Sequence, residues 1–323
     1  MKVFIAGGAG YIGGTTAHLM RDKGHEVIIF DNFSTGHKHN VDDFECIAGD
    51  ITNRSALESA LQGKNFDLVL DFAAKLRIAE SVAHPHDYFT TNTMGTLNVV
   101  ESALKSGVNH IIFSSTAAVY GEPEKVPIDE MAAIRPVNPY GMSKFLAENI
   151  LRSYQATHAL NWVAFRYFNA AGAYKQIGDY PDTQHLIPCI LDALHDKREL
   201  KVFGSDYDTP DGTCLRDYIH VVDVAEAHVL AAEAMVAGKK LNQAINLGTN
   251  HGSSVLEIIQ AVEKAAETSV PYRLTARRPG DSGSLIASNL IANQVLGWQP
   301  QFGLERTVAD AVSWHNDFFI KAS

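Results

Sequence analysis

The hydrophobic pattern of the first half of the chain alternates between two kinds of segment. Val3–Ala6, Glu26–Phe30, Phe44–Ala48, Phe66–Phe72, His110–Ser114 and Trp162–Phe168 are short apolar runs. Their length and their β-branched or aromatic content are those of buried strands. Between them lie stretches with helical period. Tyr11–Lys23 stops at Gly24, a suitable residue for a helix C-terminus. Asn92–Lys105 places Leu97, Val100 and Leu104 on one face, with Asn98, Glu101 and Lys105 off it, and Gly107 follows as a stop. Strands alternating with helices predict right-handed βαβ units and a parallel sheet covered on both faces.

The alternation weakens after Asn169. Residues 172–183 and 204–215 read as loops rich in Gly, Asp, Tyr and Thr, and helical period returns at Leu186–Leu194, Val222–Val236 and Ser254–Ala266. No low-complexity linker, repeat or charge block intervenes. The expected organisation is a first domain over 1–170 and a smaller lobe over 171–323, with a cleft between them and some later segments packing back on the first domain.

Composition narrows the class. With 46% hydrophobic and 20% charged residues, the 323-residue chain is neither disordered nor fibrous. Its net charge of −10 argues against non-specific binding to nucleic acid or an anionic membrane. Cys46, Cys189 and Cys214 form no CxxC pair and no disulfide framework. The histidines, including His37/His39 and His84/His86, lack a metal-ligand spacing, so no metal is expected. No apolar run reaches signal-peptide or transmembrane length, and the chain reads as cytoplasmic.

Against that acidity stands an anion-binding motif. Gly7, Gly10 and Gly13 form a GxxGxxG turn between the first strand and first helix. Glycine there permits a tight turn and lets the backbone approach a pyrophosphate, which helix-terminal amides attract. Asp31 ends the second strand. A carboxylate there accepts hydrogen bonds from an adenosine ribose and repels a 2′-phosphate, which favours NAD over NADP. Tyr140 and Lys144 lie one helical turn apart, just after Asn138-Pro139, a helix-start signal. A tyrosine hydroxyl, with an ordinary pKa of about 10, needs a nearby cation to act as a base at neutral pH. Ser114, Ser115 and Thr116 follow a buried strand, where an open parallel sheet binds its ligands.

Taken together, these residues resemble the extended short-chain dehydrogenase/reductase family, and within it most closely the UDP-glucose 4-epimerases. The likeness runs over nearly the whole length. It also includes Gly49-Asp50-Ile51, Glu80-Ser81-Val82, Arg166–Ala173, Leu215–Val221, Asn246-Leu247-Gly248 and Arg277–Asp281. The resemblance implies an α/β fold: a Rossmann-type doubly wound parallel sheet with a smaller C-terminal substrate-binding α/β lobe. It implies tightly bound NAD, a UDP-sugar substrate, a homodimer and a place in galactose metabolism. Tyr140 would be the base, Lys144 would lower its pKa and hold the nicotinamide ribose, and Thr116 would bridge the sugar O4 and Tyr140. The cofactor would also meet Gly7, Gly10, Tyr11, Ile12, Gly13, Asp31, Asn32, Asp50, Ile51, Phe72, Ala73, Ala74, Lys75, Asn92, Ser114 and Phe168. The substrate would meet Asn169, His185, Leu186, Phe203, Arg216, Arg278, Asp281 and Leu285.

Some positions depart from the family pattern. Asn92 lacks the usual asparagine neighbour, Met142 and Asp71 stand where lysine and histidine are commoner, and Ala79 replaces a usual glycine. Leu285 occupies a gate position on the sugar pocket. Two alternatives stay open: a related 4-epimerase of UDP-N-acetylglucosamine or UDP-glucuronate, and an NAD-binding redox sensor without catalysis. A 4,6-dehydratase needs an acidic pair after the hydroxyl residue, where this chain has Ala117-Ala118.

Overall fold

The computed structural model describes residues 1–180, 183–278 and 282–322. Seven strands form one sheet: β1 (Lys2–Ala6), β2 (Glu26–Asp31), β3 (Glu45–Ala48), β4 (Leu68–Asp71), β5 (His110–Thr116), β6 (Asn161–Tyr167) and β7 (Gln243–Leu247). All pair in parallel, in the order β7-β6-β5-β4-β1-β2-β3. The order reverses between β1 and β4. A sheet of this kind opens a ligand crevice there, at the carboxyl ends of its strands.

The main helices are α1 (Tyr11–Asp22), α2 (Arg54–Leu61), α3 (Gly95–Lys105), α4 (Pro139–His158), α5 (Leu186–His195), α6 (Val221–Val236), α7 (Val255–Ala266) and α8 (Leu304–Ala322). One core lies between the sheet and α1 with α6, around Ile5, Ile29, Leu70, Phe165 and Val224. A second lies between the sheet and α2, α3 and α4, around Phe4, Val69, Val99, Phe113 and Leu151. The alternate residues of β1 and β4 serve opposite cores, as the period of a strand requires. The sheet is thus doubly wound, as its strand-helix alternation predicts.

The structure corrects the sequence reading in places. β7 was not expected; its five residues carry a weak apolar signal, yet they pair with β6 along its length. With α6 packed on α1, the chain returns to the first layer after residue 220. A third core joins α5, α7 and α8 around Ile190, Ile258 and Val308. In α3, Val99, Val100 and Ala103 are buried while Leu97 and Leu104 are half-buried. The buried face is turned because α3 packs on both α2 and α4. The 172–183 segment, read as loop, contains a small hairpin of Ala173–Tyr174 and Ile177–Gly178. No described helix is long and apolar enough to cross a membrane.

Candidate active site

The loops after β1 and β4 meet at the sheet's switch point. Gly7 has φ +75°, and a Cβ there would lie 2.5 Å from the Ala73 nitrogen. Only glycine lets these two loops touch. A Cβ on Gly13 would strike the Gly7 carbonyl oxygen, whereas Gly10 faces open space beyond that same atom at 3.5 Å. Gly10 starts α1 in extended conformation, and no side chain caps the helix. The positive end of α1 is left for a ligand anion.

Asp31 braces this cradle. Its Oδ2 accepts from Ala9 N at 2.9 Å and its Oδ1 from Phe33 N at 2.7 Å. Burial raises its pKa, and the two amides oppose that. Each oxygen keeps a lone pair for a ribose hydroxyl. Asn32 donates to Asp50 Oδ2 at 2.7 Å, tying together two residues expected at the adenosine. Ile51 is buried in the second core. Tyr11, expected at the cofactor, donates its hydroxyl to Gly172 O at 2.7 Å and so links the glycine turn to the later chain. An open glycine cradle, an uncapped helix and a carboxylate at the second strand end are a donor and acceptor set that fits NAD.

The Tyr140 and Lys144 pair sits on α4, started by Asn138, whose side chain accepts from Gly141 N at 2.8 Å, with Pro139 at the first position. Lys144 is buried. Its Nζ donates to Ser114 O at 2.7 Å and lies 4.7 Å over the Phe113 ring. Tyr140 is hydrogen-bonded to the Thr116 side chain and stands edge-on to Tyr88, 6.4 Å away. α4 and the end of β5 therefore bring Thr116, Tyr140 and Lys144 together. In the protein alone Tyr140 is not acidified. Burial pushes its pKa up, and the Thr116 hydrogen bond opposes it. Burial pulls Lys144 down to about 8, opposed by Asp71 and then Glu148. The lysine's hydrogen bond goes to Ser114, so the expected depression of Tyr140 is not present without ligand.

Several of the remaining expected contacts are engaged within the protein. Asn92 is fully buried. Its amide donates to Lys75 O and Ser143 Oγ, both at 3.0 Å, and its oxygen accepts from Lys75 N at 2.8 Å. Asn92 thus ties the Lys75 backbone to α4. Lys75 pairs with Glu80 at 3.0 Å. Phe72 lies tilted against His228, with centroids 4.8 Å apart, and Ala73 and Ala74 follow it in the β4 loop. Phe168 packs with Leu285, Val119 and Tyr120 beside the Thr116 segment.

Of the residues expected at the substrate, Asn169 is paired in register with Tyr218, and Arg216 with Leu285. Arg216 donates to Leu215 O at 2.9 Å. The Arg278 guanidinium lies 3.9 Å over the Phe203 ring. His185 pairs with Asp179 at 2.7 Å, just before Leu186 opens α5. Asp281 lies outside the described residues.

Sequence reasoning missed the supports beneath these groups. Glu148 accepts from Arg166 Nε at 3.0 Å and Nη2 at 2.7 Å, and from Ser115 Oγ at 2.6 Å. Arg166 Nη1 donates to Tyr120 Oη at 2.9 Å, which donates to Asn246 Oδ1 at 2.7 Å. The spacing Lys144–Glu148, one further turn of α4, was the available signal. Asp217 is buried and accepts from Thr249 N and Oγ1, Asn250 N and Ala287 N, pinning three segments together. Tyr167 and the buried His228 share a hydrogen bond of 2.7 Å behind the β6 end. Among the described residues, no three His, Cys, Asp or Glu side chains are grouped to hold a metal ion.

Comparison with known proteins identifies the family. Residues 3–248 match the model of the NAD dependent epimerase/dehydratase family. A UDP-glucose 4-epimerase of Rhizobium leguminosarum bv. trifolii is 43% identical over 318 residues, 97% of each chain. A crystal structure of UDP-glucose 4-epimerase from Stenotrophomonas maltophila, with bound NAD and formylated UDP-arabinopyranose, superposes with TM-score 0.96 at 35% identity and covers both chains fully. A UDP-Glc/GlcNAc 4-epimerase from Campylobacter jejuni gives TM-score 0.87 at 36% identity, over 98% of this chain and 99% of that one.

Proposed function

This chain belongs to the NAD dependent epimerase/dehydratase family, and from that premise we propose that it interconverts UDP-galactose and UDP-glucose through a 4-keto sugar, using tightly bound NAD. The observation that carries this reading is the convergence of Thr116, Tyr140 and Lys144 at the carboxyl end of β5, next to the glycine cradle. Gly7, Gly10 and Gly13 would hold the cofactor's pyrophosphate, and Asp31 its adenosine ribose. NAD, when bound, supplies a reversible acceptor for the hydride at the sugar C4.

The protein's own task is the proton. Thr116 would orient the sugar 4-hydroxyl toward Tyr140. Tyr140 would take the hydroxyl proton as the C4 hydride leaves, and give it back after the keto sugar has turned over in the site. Burial alone disfavours the phenolate, so Tyr140 needs positive charge nearby, and Lys144 and the oxidised nicotinamide would provide it. Arg216 and Arg278 would hold the nucleotide diphosphate, Asn169 would contact the diphosphate or the sugar, and Asp281 would bind on the nucleotide side, with Phe203, His185 and Leu186 beside them. Leu285 would border the sugar. A carboxyl-terminal lobe over 171–323 would contribute these contacts to a cofactor domain over 1–170.

The same reading places the enzyme in the cytoplasm as a homodimer. α4 and the turn before α3 leave Met142, Leu146 and Met94 exposed, and this face would meet a second copy. The function is tested by supplying UDP-galactose to purified protein without added NAD. UDP-glucose should form to equilibrium. Parallel assays with UDP-N-acetylglucosamine and UDP-glucuronate fix the substrate range, and faster turnover of either would reassign the preferred sugar. Failure to turn over any of the three would overturn the proposal.

A further inference from the structure

Asp71 ends β4 in the middle of the sheet and is 1% exposed. Its register partner on β5 is Phe113. Residues paired in register project from the same face of a sheet, and this face is covered by α3 and α4. From α3, Thr96 donates its hydroxyl to Asp71 Oδ2 at 2.9 Å. From α4, Lys144 carries its ammonium over the Phe113 ring. Asp71 Oδ1 is buried with no side-chain partner, and beside Thr96 the carboxylate has the Ala73 amide as its donor. Burial outweighs these local donors, an arrangement that a nearby cation offsets. Lys144 is the cation on the same face.

We propose that Asp71 is a positioning residue for the Tyr140–Lys144 pair, its buried carboxylate keeping Lys144 in the ammonium form at neutral pH. The inference rests on the reading of Tyr140 and Lys144 given above. Lys144 is buried with its ammonium donating to one carbonyl, so desolvation drives it toward the neutral amine. The opposing charges are Asp71 first and Glu148 second. Asp71 itself, raised by burial to about 6, is ionised at neutral pH. The other titratable groups at this spot carry no charge there. Tyr140 on α4 and Tyr167 on β6 are both pushed up by burial, Tyr88 is raised to about 12, and His228 on α6 is lowered by burial to about 4. Asp71 and Glu148 are thus the anions on which the ammonium depends. Glu148 is shared with Arg166, which leaves Asp71 as the carboxylate with no cation of its own in contact.

The sign of the effect follows. Without the Asp71 charge Lys144 releases its proton at lower pH, and the alkaline limb of the kcat profile moves down with it. The test uses holoenzyme labelled with 13C at the lysine Cε, with the Lys144 resonance assigned by its loss in Lys144→Met. In Asp71→Asn the proton affinity of Lys144 should fall about tenfold or more. KM for the UDP-sugar should stay within about twofold, since Asp71 is too deeply buried to meet substrate. An unchanged Lys144 titration in folded Asp71→Asn overturns the proposal. Should that variant not fold, Asp71→Ser serves, because it removes the same charge and leaves a hydroxyl for Thr96. The Lys144 titration must again move to lower pH, and an unmoved curve is again fatal. The NMR readout does not depend on turnover, so a failure of the Tyr140 assignment, seen as full activity in Tyr140→Phe, is distinguishable from a failure of this inference.

Discussion

Replacing Glu148 by Gln tests whether the buried pair beneath the candidate site is structural support. Glu148 and Arg166 side chains are 0% and 4% exposed, and their contact is bidentate. Gln keeps the volume and one acceptor for Ser115, but leaves the guanidinium charge unpaired in the core. Breaking one side of such a pair costs about 3–5 kcal/mol. Arg166 retains the Tyr120 hydroxyl, so the lower end of that range is expected. Urea unfolding of wild type and variant, with equal m-values, reads the loss as a shift of midpoint. The double variant Glu148→Leu with Arg166→Met removes both charges and fills similar space. It should recover most of the loss, because the unpaired charge and not the pair itself is the source of the instability. A single-variant loss below about 1 kcal/mol would place this contact in the class of weak exposed pairs and refute the reasoning. So would a double variant as unstable as the sum of its parts.

Further outcomes follow from the same geometry. Gly13→Ala should purify with roughly tenfold less NAD per chain, since its Cβ meets the Gly7 carbonyl and opens the cradle; wild-type NAD content after denaturing release would sink this. His228 is buried and neutral, its pKa lowered to about 4 against an ordinary 6.5. The native state therefore binds fewer protons than the unfolded chain between those values, and stability falls as pH drops from about 6.5 to about 4, by up to about 3 kcal/mol. In His228→Gln that dependence is missing, so the stability gap between wild type and variant should shrink on acidification; a constant gap contradicts the assignment. The exposed Met142 and Leu146 predict that Leu146→Glu shifts the sedimentation of a dimer toward monomer; a wild-type profile at micromolar concentration would remove α4 from the interface.

The fold was legible where local signals were strong. Continuous apolar runs and glycine stops located six of the seven sheet strands and α1, because buried parallel strands and helix ends need those residue types wherever they occur. β7 was not legible, since Gln243–Leu247 becomes a strand through pairing with β6, a partner far away in sequence. The face of α3 was misread because two helices pack on it, and period alone gives one stripe. For the site, Asn138-Pro139 and the one-turn spacing sufficed to place Tyr140 and Lys144. The partners that set their charge state, Asp71 from β4 and Glu148 sharing Arg166 from β6, come together only through the sheet order. Asn92 shows the converse: its position was foreseen, but its hydrogen bonds go to Lys75 and Ser143, a distribution no linear pattern reveals.

The central claim is that Tyr140 moves the proton at the sugar 4-hydroxyl. Its most direct test is the rate of UDP-galactose conversion by Tyr140→Phe that retains wild-type NAD content and wild-type binding of UDP. General acid–base groups contribute about 10²- to 10⁴-fold, so the account predicts a fall in kcat of at least about a hundredfold with nucleotide binding preserved. A variant that keeps both its NAD and the wild-type rate would contradict it.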